Sequence, residues 1–315
     1  MSMFKWQYRI EETDAQGRRY RVILQTHYFS GAYGAYNELV KQQPHSHFVM
    51  MDGMRIVHNN VTWPAPDARS SADDYSDGME RKASMCGRYA ITVPPGALQR
   101  QFGTKNPLIN FGPRYNAAPT QTLPVIRFNP EAQIRALDVL RWGLVHHKAK
   151  DLSGSAKAIN ARAETVATKW PFSDAFAKRR CLVPATAFYE WQKIGVGKQP
   201  YAIGLADGSI MAFAGVWEGW RAPPAPGQAD GEIIRTFSII TTTPNEITAP
   251  IHDRMPVILP VSAWSAWLGE VSTPPADLQA LLRPYSADGM KVWPVGPEVG
   301  SVKNDYQELL APFQA

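Results

Sequence analysis

Cysteine is scarce in this chain, with only Cys86 and Cys181 among 315 residues. Two thiols in that length exclude a disulfide-stapled scaffold, and no Cys-x-x-Cys or Cys/His spacing suggests zinc. If either cysteine matters, it matters as a thiol. No run approaches the eighteen apolar residues of a membrane-crossing helix, so no membrane partner is expected. The opening MSMFKWQYRIEETDAQG is charged and alternating rather than leader-like, which makes a cytoplasmic protein the expectation. Neither an internal repeat nor a glycine-rich phosphate loop occurs, so no nucleotide cofactor, metal or other cofactor is expected.

What is present divides at residue 85. Residues 1–85 carry ten Lys/Arg and ten Asp/Glu, whereas residues 86–315 carry 23 and 18, so the whole net charge of +5 lies in the second part. That excess favours an anionic partner there. FKWQYRIEE and RRYRVILQTHYF alternate around Asp14-Ala15-Gln16-Gly17 and predict a hairpin; HFVMMDGMRIVHNN predicts a second around Asp52-Gly53. AYGAYNELVKQQ between them reads as helix, giving a small ββαββ extension over 1–63. The Pro-, Ser- and Asp-rich stretch over 64–85 reads as a flexible linker.

From residue 86 onward the pattern is mainly strands. TLPVIRF, IRALDVLRW, PYAIGLA, SIMAFAGVW and TFSIITTT are β-branched and aromatic runs broken by turn residues. The expected helices are short: PPGALQRQF, WPFSDAFAKR, and TPPADLQALLRP with Thr273 as its cap. Strands with interspersed short helices predict an α+β fold with a folded or barrel-like mixed sheet, not a doubly wound one.

Polar residues set in apolar strings are the candidates for chemistry. Asn160 and Arg162 stand in Ile-Asn-Ala-Arg-Ala-Glu, Glu190 stands between aromatics in Phe-Tyr-Glu-Trp, and His252 opens His-Asp-Arg-Met-Pro. A glutamate so flanked is desolvated, which raises its pKa toward proton-transfer values. Each residue taken alone also has an ordinary reading. Glu190 could pair with Arg179 or Arg180, His252 could be a core or capping histidine, Asn160 a turn residue, Cys86 an inert thiol, and the tryptophans core.

Read in order, the motifs are more telling. Met85-Cys86-Gly87-Arg88-Tyr89, Arg114-Tyr115-Asn116-Ala-Ala-Pro119, Arg141-Trp142-Gly143-Leu144, Ile-Asn160-Ala-Arg162-Ala-Glu164, Arg180-Cys181-Leu-Val-Pro184, Phe188-Tyr189-Glu190-Trp191, Thr241 and His252-Asp253-Arg254-Met255-Pro256 follow one another. The series resembles the SOS response-associated peptidase family, whose members shield abasic sites in single-stranded DNA. The resemblance runs from Cys86 to about residue 312 and implies that family's fold over 86–315. It implies Cys86 as nucleophile at a mature N-terminus, with Asn160, Glu190 and His252 completing the active site. Arg88, Pro119, Trp142, Arg162, Trp191 and Thr241 match positions that hold or line the DNA. The implied partner is single-stranded DNA with abasic sites, bound by a monomer. The implied activities are thiol autoproteolysis and DNA–protein crosslinking, with lyase activity beside them.

The chemistry explains why an N-terminal cysteine is needed. An α-amine, with a pKa of ~7.7–8.0, is partly neutral at cellular pH and can attack the open-chain aldehyde of an abasic site. The thiol of the same residue can then close a thiazolidine. Cys86 as written carries an amide, so the full-length chain should not crosslink until residues 1–85 are gone. A true start at Met85 is favoured over a prosegment that the protein itself cuts at Met85-Cys86. Two rivals remain: a cysteine protease acting on other proteins, and a non-catalytic single-stranded DNA-binding module.

Overall fold

The structure is a computed structural model that describes residues 8–13, 19–26, 47–52, 55–59, 86–224 and 230–313. The chain forms two compact units, Met1–Glu80 and Arg81–Ala315. In the first, strands β1 (Tyr8–Thr13), β2 (Arg19–Thr26), β3 (His47–Asp52) and β4 (Arg55–Asn59) form one antiparallel sheet in the order β2-β1-β3-β4. The strand pairs β1–β2 and β3–β4 coincide with the two expected hairpins. The helix expected over 32–43, the linker over 64–85, and Met85 lie outside the described residues.

The second unit is built on a closed ring of strands. β7 (Thr122–Asn129) and β8 (Ile134–Trp142) pair as a hairpin, β10 (Arg180–Ala185) joins β7, and β13 (Met211–Arg221) joins β10. β14 (Ile233–Thr242) closes the ring by pairing antiparallel with β13 and parallel with β8. All but β10 lie in expected strand runs. Their inward residues, among them Val125, Leu140, Leu182, Phe213 and Phe237, form the main core. The expected strand-rich α+β fold with a barrel-like mixed sheet is the fold found.

A second sheet stands beside the ring, in the order β16-β12-β11-β5-β6. Its members are β5 (Tyr89–Ile91), β6 (Arg114–Ala117), β11 (Ala187–Ile194), β12 (Gly197–Leu205) and β16 (Met290–Pro294). Short helices flank the sheets: α1 (Pro95–Phe102), α2 (Ser173–Lys178), α3 (Trp264–Leu268) and α4 (Pro275–Ala280). α1 starts on prolines and stops at Gly103 in the left-handed region (φ 67°), as its sequence requires. α4 corrects one expectation. Its cap position is Pro274, and the Thr273 hydroxyl donates instead to the Val271 carbonyl at 3.2 Å.

Two features of this framework assemble the site. The C-terminal half of β14 leaves β8 and takes new partners, β9 (Asn160–Arg162) on one side and β15 (Met255–Pro256) on the other. Thr241 is the crossing point, opposite both Arg162 and Pro256. In the second sheet, Phe188 pairs with Tyr89, a register that carries Glu190 past the start of β5 toward Cys86. Side chains alternate along β11: Phe188 enters the main core and Tyr189 a smaller one, so Glu190 points to the Phe188 side, between the sheets.

Candidate active site

Cys86 and Glu190 meet in a nearly dry pocket, 3% and 2% exposed respectively. The backbone N–H of Cys86 donates to Glu190 Oε1 at 2.8 Å. Asn160 Nδ2 approaches the Cys86 carbonyl oxygen at 3.5 Å from the opposite strand system. His252 presents Nε2 to Glu190 Oε2 at 3.9 Å. His252 Nδ1 lies 3.1 Å from both the Arg254 backbone N–H and Asp253 Oδ1, and its Nε2 faces the Glu190 carboxyl. All four residues expected to do the chemistry are thus brought together, from β11, β9 and two loops.

Burial dominates the electrostatics. Desolvation pushes Glu190 up to about 8, only partly offset by its bonds to Cys86, so the carboxyl is protonated at neutral pH. Burial and the adjacent Glu190 also hold the Cys86 thiol well above its ordinary pKa. Its backbone adopts φ 39°, a left-handed conformation that a non-glycine residue holds at a cost of roughly 1 kcal/mol or more. The pairing of Glu190 with Arg179 or Arg180 does not occur. Arg179 bonds Glu218 at 2.6 Å, and Arg180 donates to the carbonyls of Trp267, Phe176 and Ala177.

A cavity of about 270 Å³ opens over the pocket, lined by Gly87, Arg88, Pro119, Glu190, Trp191, Lys198 and His252. Pro119 and Trp191 therefore stand at the mouth. Arg88 also lines it, but its guanidinium is engaged by Asn116 Oδ1 (3.1 Å) and the carbonyls of Val299 (2.9 Å) and Gly300 (3.3 Å). That is a brace between β5, β6 and the C-terminal segment rather than an open cationic fork. Arg162 is exposed beside Asn160.

Two of the expected DNA contacts are corrected. Trp142 is 0% exposed, stacks on Phe237 with centroids 6.2 Å apart, and donates Nε1–H to the Ile159 carbonyl at 2.9 Å. A ring with no open face cannot stack on a base. Thr241 is likewise fully buried, where β14 pairs with both β9 and β15.

Arg254, present in a motif but assigned no role there, proves central to the scaffold. Its guanidinium grips Glu164 at 2.6 and 2.9 Å and the Thr241 carbonyl at 2.6 Å. It thereby ties the His252 loop to the strand bearing Asn160 and Arg162. Lys198 also escapes sequence reasoning; exposed lysines have no signature in a single sequence. Farther off, His146, His147 and Glu218 bring ligand-type atoms within 4.8 Å of one another. There Glu218 Oε2 already accepts from Arg179, and Oε1 accepts from the Gly219 N–H at 3.0 Å. That carboxylate is spoken for.

Comparison with known proteins identifies a family. A model of the family described as SOS response associated peptidase (SRAP) matches residues 85–302. The chain is 40% identical over 229 residues to the abasic site processing protein YoqW of Bacillus subtilis, a match covering 72% of this chain and 99% of that one. It is 30% identical over 270 residues to the abasic site processing protein HMCES of Gallus gallus, covering 73% and 78%. Among solved structures, a Bacteroides thetaiotaomicron protein shares the fold with a TM-score of 0.64 at 24% identity, covering 73% of this chain and all of that one. Among the described residues no helix is long and apolar enough to cross a membrane.

Proposed function

The chain belongs to the SOS response associated peptidase (SRAP) family, and from that membership we propose that it processes abasic sites in single-stranded DNA by forming a covalent link through Cys86. The observation that carries this reading is the 2.8 Å contact between the Cys86 nitrogen and Glu190, with a thiol on the same residue. Nitrogen and sulfur together, beside a carboxyl that holds its proton at neutral pH, are what aldehyde capture requires.

The steps balance as follows. The neutral α-amine adds to the open-chain aldehyde to give a carbinolamine. Glu190 protonates the departing hydroxyl, water leaves, and the iminium returns its N–H proton to Glu190 to give an imine. The thiol then adds to the imine carbon, its proton passing to nitrogen, and a five-membered thiazolidine closes. The net change is loss of one water. His252 assists opening of the sugar by moving the anomeric proton, and Asn160 orients the first residue through its carbonyl.

This chemistry needs residues 1–85 removed, and the pocket suits that task too. The Cys86 thiol attacks the Met85 carbonyl, Glu190 delivers its proton to the departing amide nitrogen and takes up the thiol proton, and water hydrolyses the resulting thioester. One water is consumed, and a free amine is left on Cys86. Release of the left-handed backbone at Cys86 favours the cut. Translation beginning at Met85, followed by removal of that methionine, leads to the same end.

A protease acting on other proteins would need no free amine on Cys86, so acetylating that amine separates the two readings. Intact-mass analysis combined with an abasic oligonucleotide tests the proposal. A product beginning at Cys86 should yield a heat-stable DNA adduct, absent for Cys86→Ser. A chain that retains residues 1–85 and still forms the adduct would overturn it.

A further inference from the structure

Two groups compete for one nitrogen of His252. Its Nδ1 lies 3.1 Å from the Arg254 backbone nitrogen and 3.1 Å from Asp253 Oδ1. A neutral imidazole carries a single proton, so it can satisfy only one of them. With the proton on Nε2, Nδ1 accepts from the Arg254 N–H. With the proton on Nδ1, that nitrogen donates to Asp253 and Nε2 is left bare. The Arg254 partner is fixed, because its guanidinium is tied to Glu164 and to the Thr241 carbonyl. The Asp253 side chain is 86% exposed, whereas the His252 ring is 9% exposed.

The other side of the ring shows which form the chemistry needs. Nε2 faces Glu190 Oε2 at 3.9 Å, and both residues line the cavity over Cys86. Opening a cyclic abasic sugar begins with removal of the anomeric hydroxyl proton, and Nε2 can take that proton only when bare. Glu190 does not decide the tautomer, since a carboxyl that keeps its own proton at neutral pH exerts little pull on one at Nε2. Arg88 and Lys198, the other charged side chains on the cavity, offer donors only. The choice falls to Nδ1, and among the described residues Asp253 Oδ1 is the acceptor within its reach.

We propose that Asp253 is a positioning residue that draws the His252 proton onto Nδ1 and so frees Nε2 to act as the base in sugar opening. The inference rests on the function proposed above and adds the residue that readies its histidine. Nε2 takes the hydroxyl proton, the O–H electron pair becomes the carbonyl π bond, and the bond from the anomeric carbon to the ring oxygen breaks. The imidazolium, its Nδ1–H held by Asp253, then returns a proton from Nε2 to that oxygen, which becomes a hydroxyl. No proton is gained or lost overall. A carboxylate on one ring nitrogen and a hydroxyl on the other is the arrangement by which a Ser-His-Asp triad makes its histidine a base.

Long-range proton–nitrogen NMR of the full chain, isotopically labelled at the imidazole nitrogens of its seven histidines, reads the tautomer directly. The His252 signals are those missing from His252→Gln. The wild type should show a population protonated on Nδ1, Asp253→Ala should move the ring to the Nε2-protonated form, and Asp253→Glu should restore the first pattern. Identical spectra for the wild type and Asp253→Ala would overturn the proposal. Adduct formation by the product beginning at Cys86 gives a second reading. At saturating abasic DNA, Asp253→Ala should slow it roughly 10- to 100-fold, less than the loss of a buried triad carboxylate because water screens this one. Asp253→Glu should recover most of that rate, and DNA affinity should not change. On an oligonucleotide whose aldehyde has no hydroxyl with which to close a ring, Asp253→Ala should keep pace with the wild type. Equal losses on both substrates, unchanged rates on both, or a matching fall in DNA affinity would each overturn the proposal. The spectra need no adduct, so a chain that never crosslinks refutes the proposed function while the spectra still judge Asp253.

Discussion

Cys86 and Glu190 lie almost wholly out of water and bonded to each other, whereas Lys157, Arg162 and Lys169, in an open groove walled by residues 144–158 and 165–172, are bare to solvent. The two regions share Asn160's neighbourhood yet obey different physics. In the pocket desolvation sets protonation, and one misplaced charge is costly. In the groove each cation is screened and worth little alone, and the effect comes from their number. Mutations should therefore act steeply and individually in the pocket, and gently and additively in the groove.

The largest expected effect is on rate. Glu190→Gln keeps the shape of the pocket but cannot move a proton, so adduct formation by the Cys86-initiated chain should slow on the order of 10²- to 10⁴-fold. Quench-flow or gel time courses, with DNA affinity measured in parallel, check this. Equal loss in Arg162→Gln would erase the contrast between the regions.

Next comes a contrast in stability between two tryptophans. Trp142→Ala removes a fully buried ring and should cost about 3–5 kcal/mol, read from chemical denaturation. Trp191→Ala, at the half-buried mouth, should cost distinctly less while weakening adduct formation. The reverse order would return Trp142 to the DNA surface.

A smaller effect is a pH dependence. Glu190 holds its proton to about pH 8 in the folded chain against an ordinary 4.5, so folding retains a proton that the unfolded chain releases. Its contribution to stability is fully present below about pH 4.5 and is lost as pH rises toward 8, by at most about 1.4 kcal/mol per pH unit. Glu190→Gln should remove that slope. Denaturation of both proteins at pH 5 and pH 8 gives the comparison, and a Gln variant with an equal or steeper decline would contradict it.

The strand pattern makes most of the ring legible, and β12 of the second sheet, since long β-branched runs report a buried pleat directly. The catalytic residues are legible as polar letters inside aromatic strings. What stays hidden depends on contacts distant in sequence. Arg88 is held by carbonyls 211 and 212 residues away, and Arg254 grips Glu164 across 90 residues. Trp142 ends a strand that looks half-exposed by pattern, and only the closure of the ring over it decides that the indole is core. Thr273 resembles a cap because it precedes two prolines, but Pro274 takes the cap position and the hydroxyl turns back to Val271.

The most direct measurement compares two forms of the protein that begin at Cys86, one with its amine free and one with that amine acetylated and the thiol intact. Each is incubated with single-stranded DNA containing one abasic site and run under denaturing conditions. The account predicts a shifted band for the free amine and none for the acetylated form. Equal bands from both would show that sulfur alone makes the bond, and would contradict it.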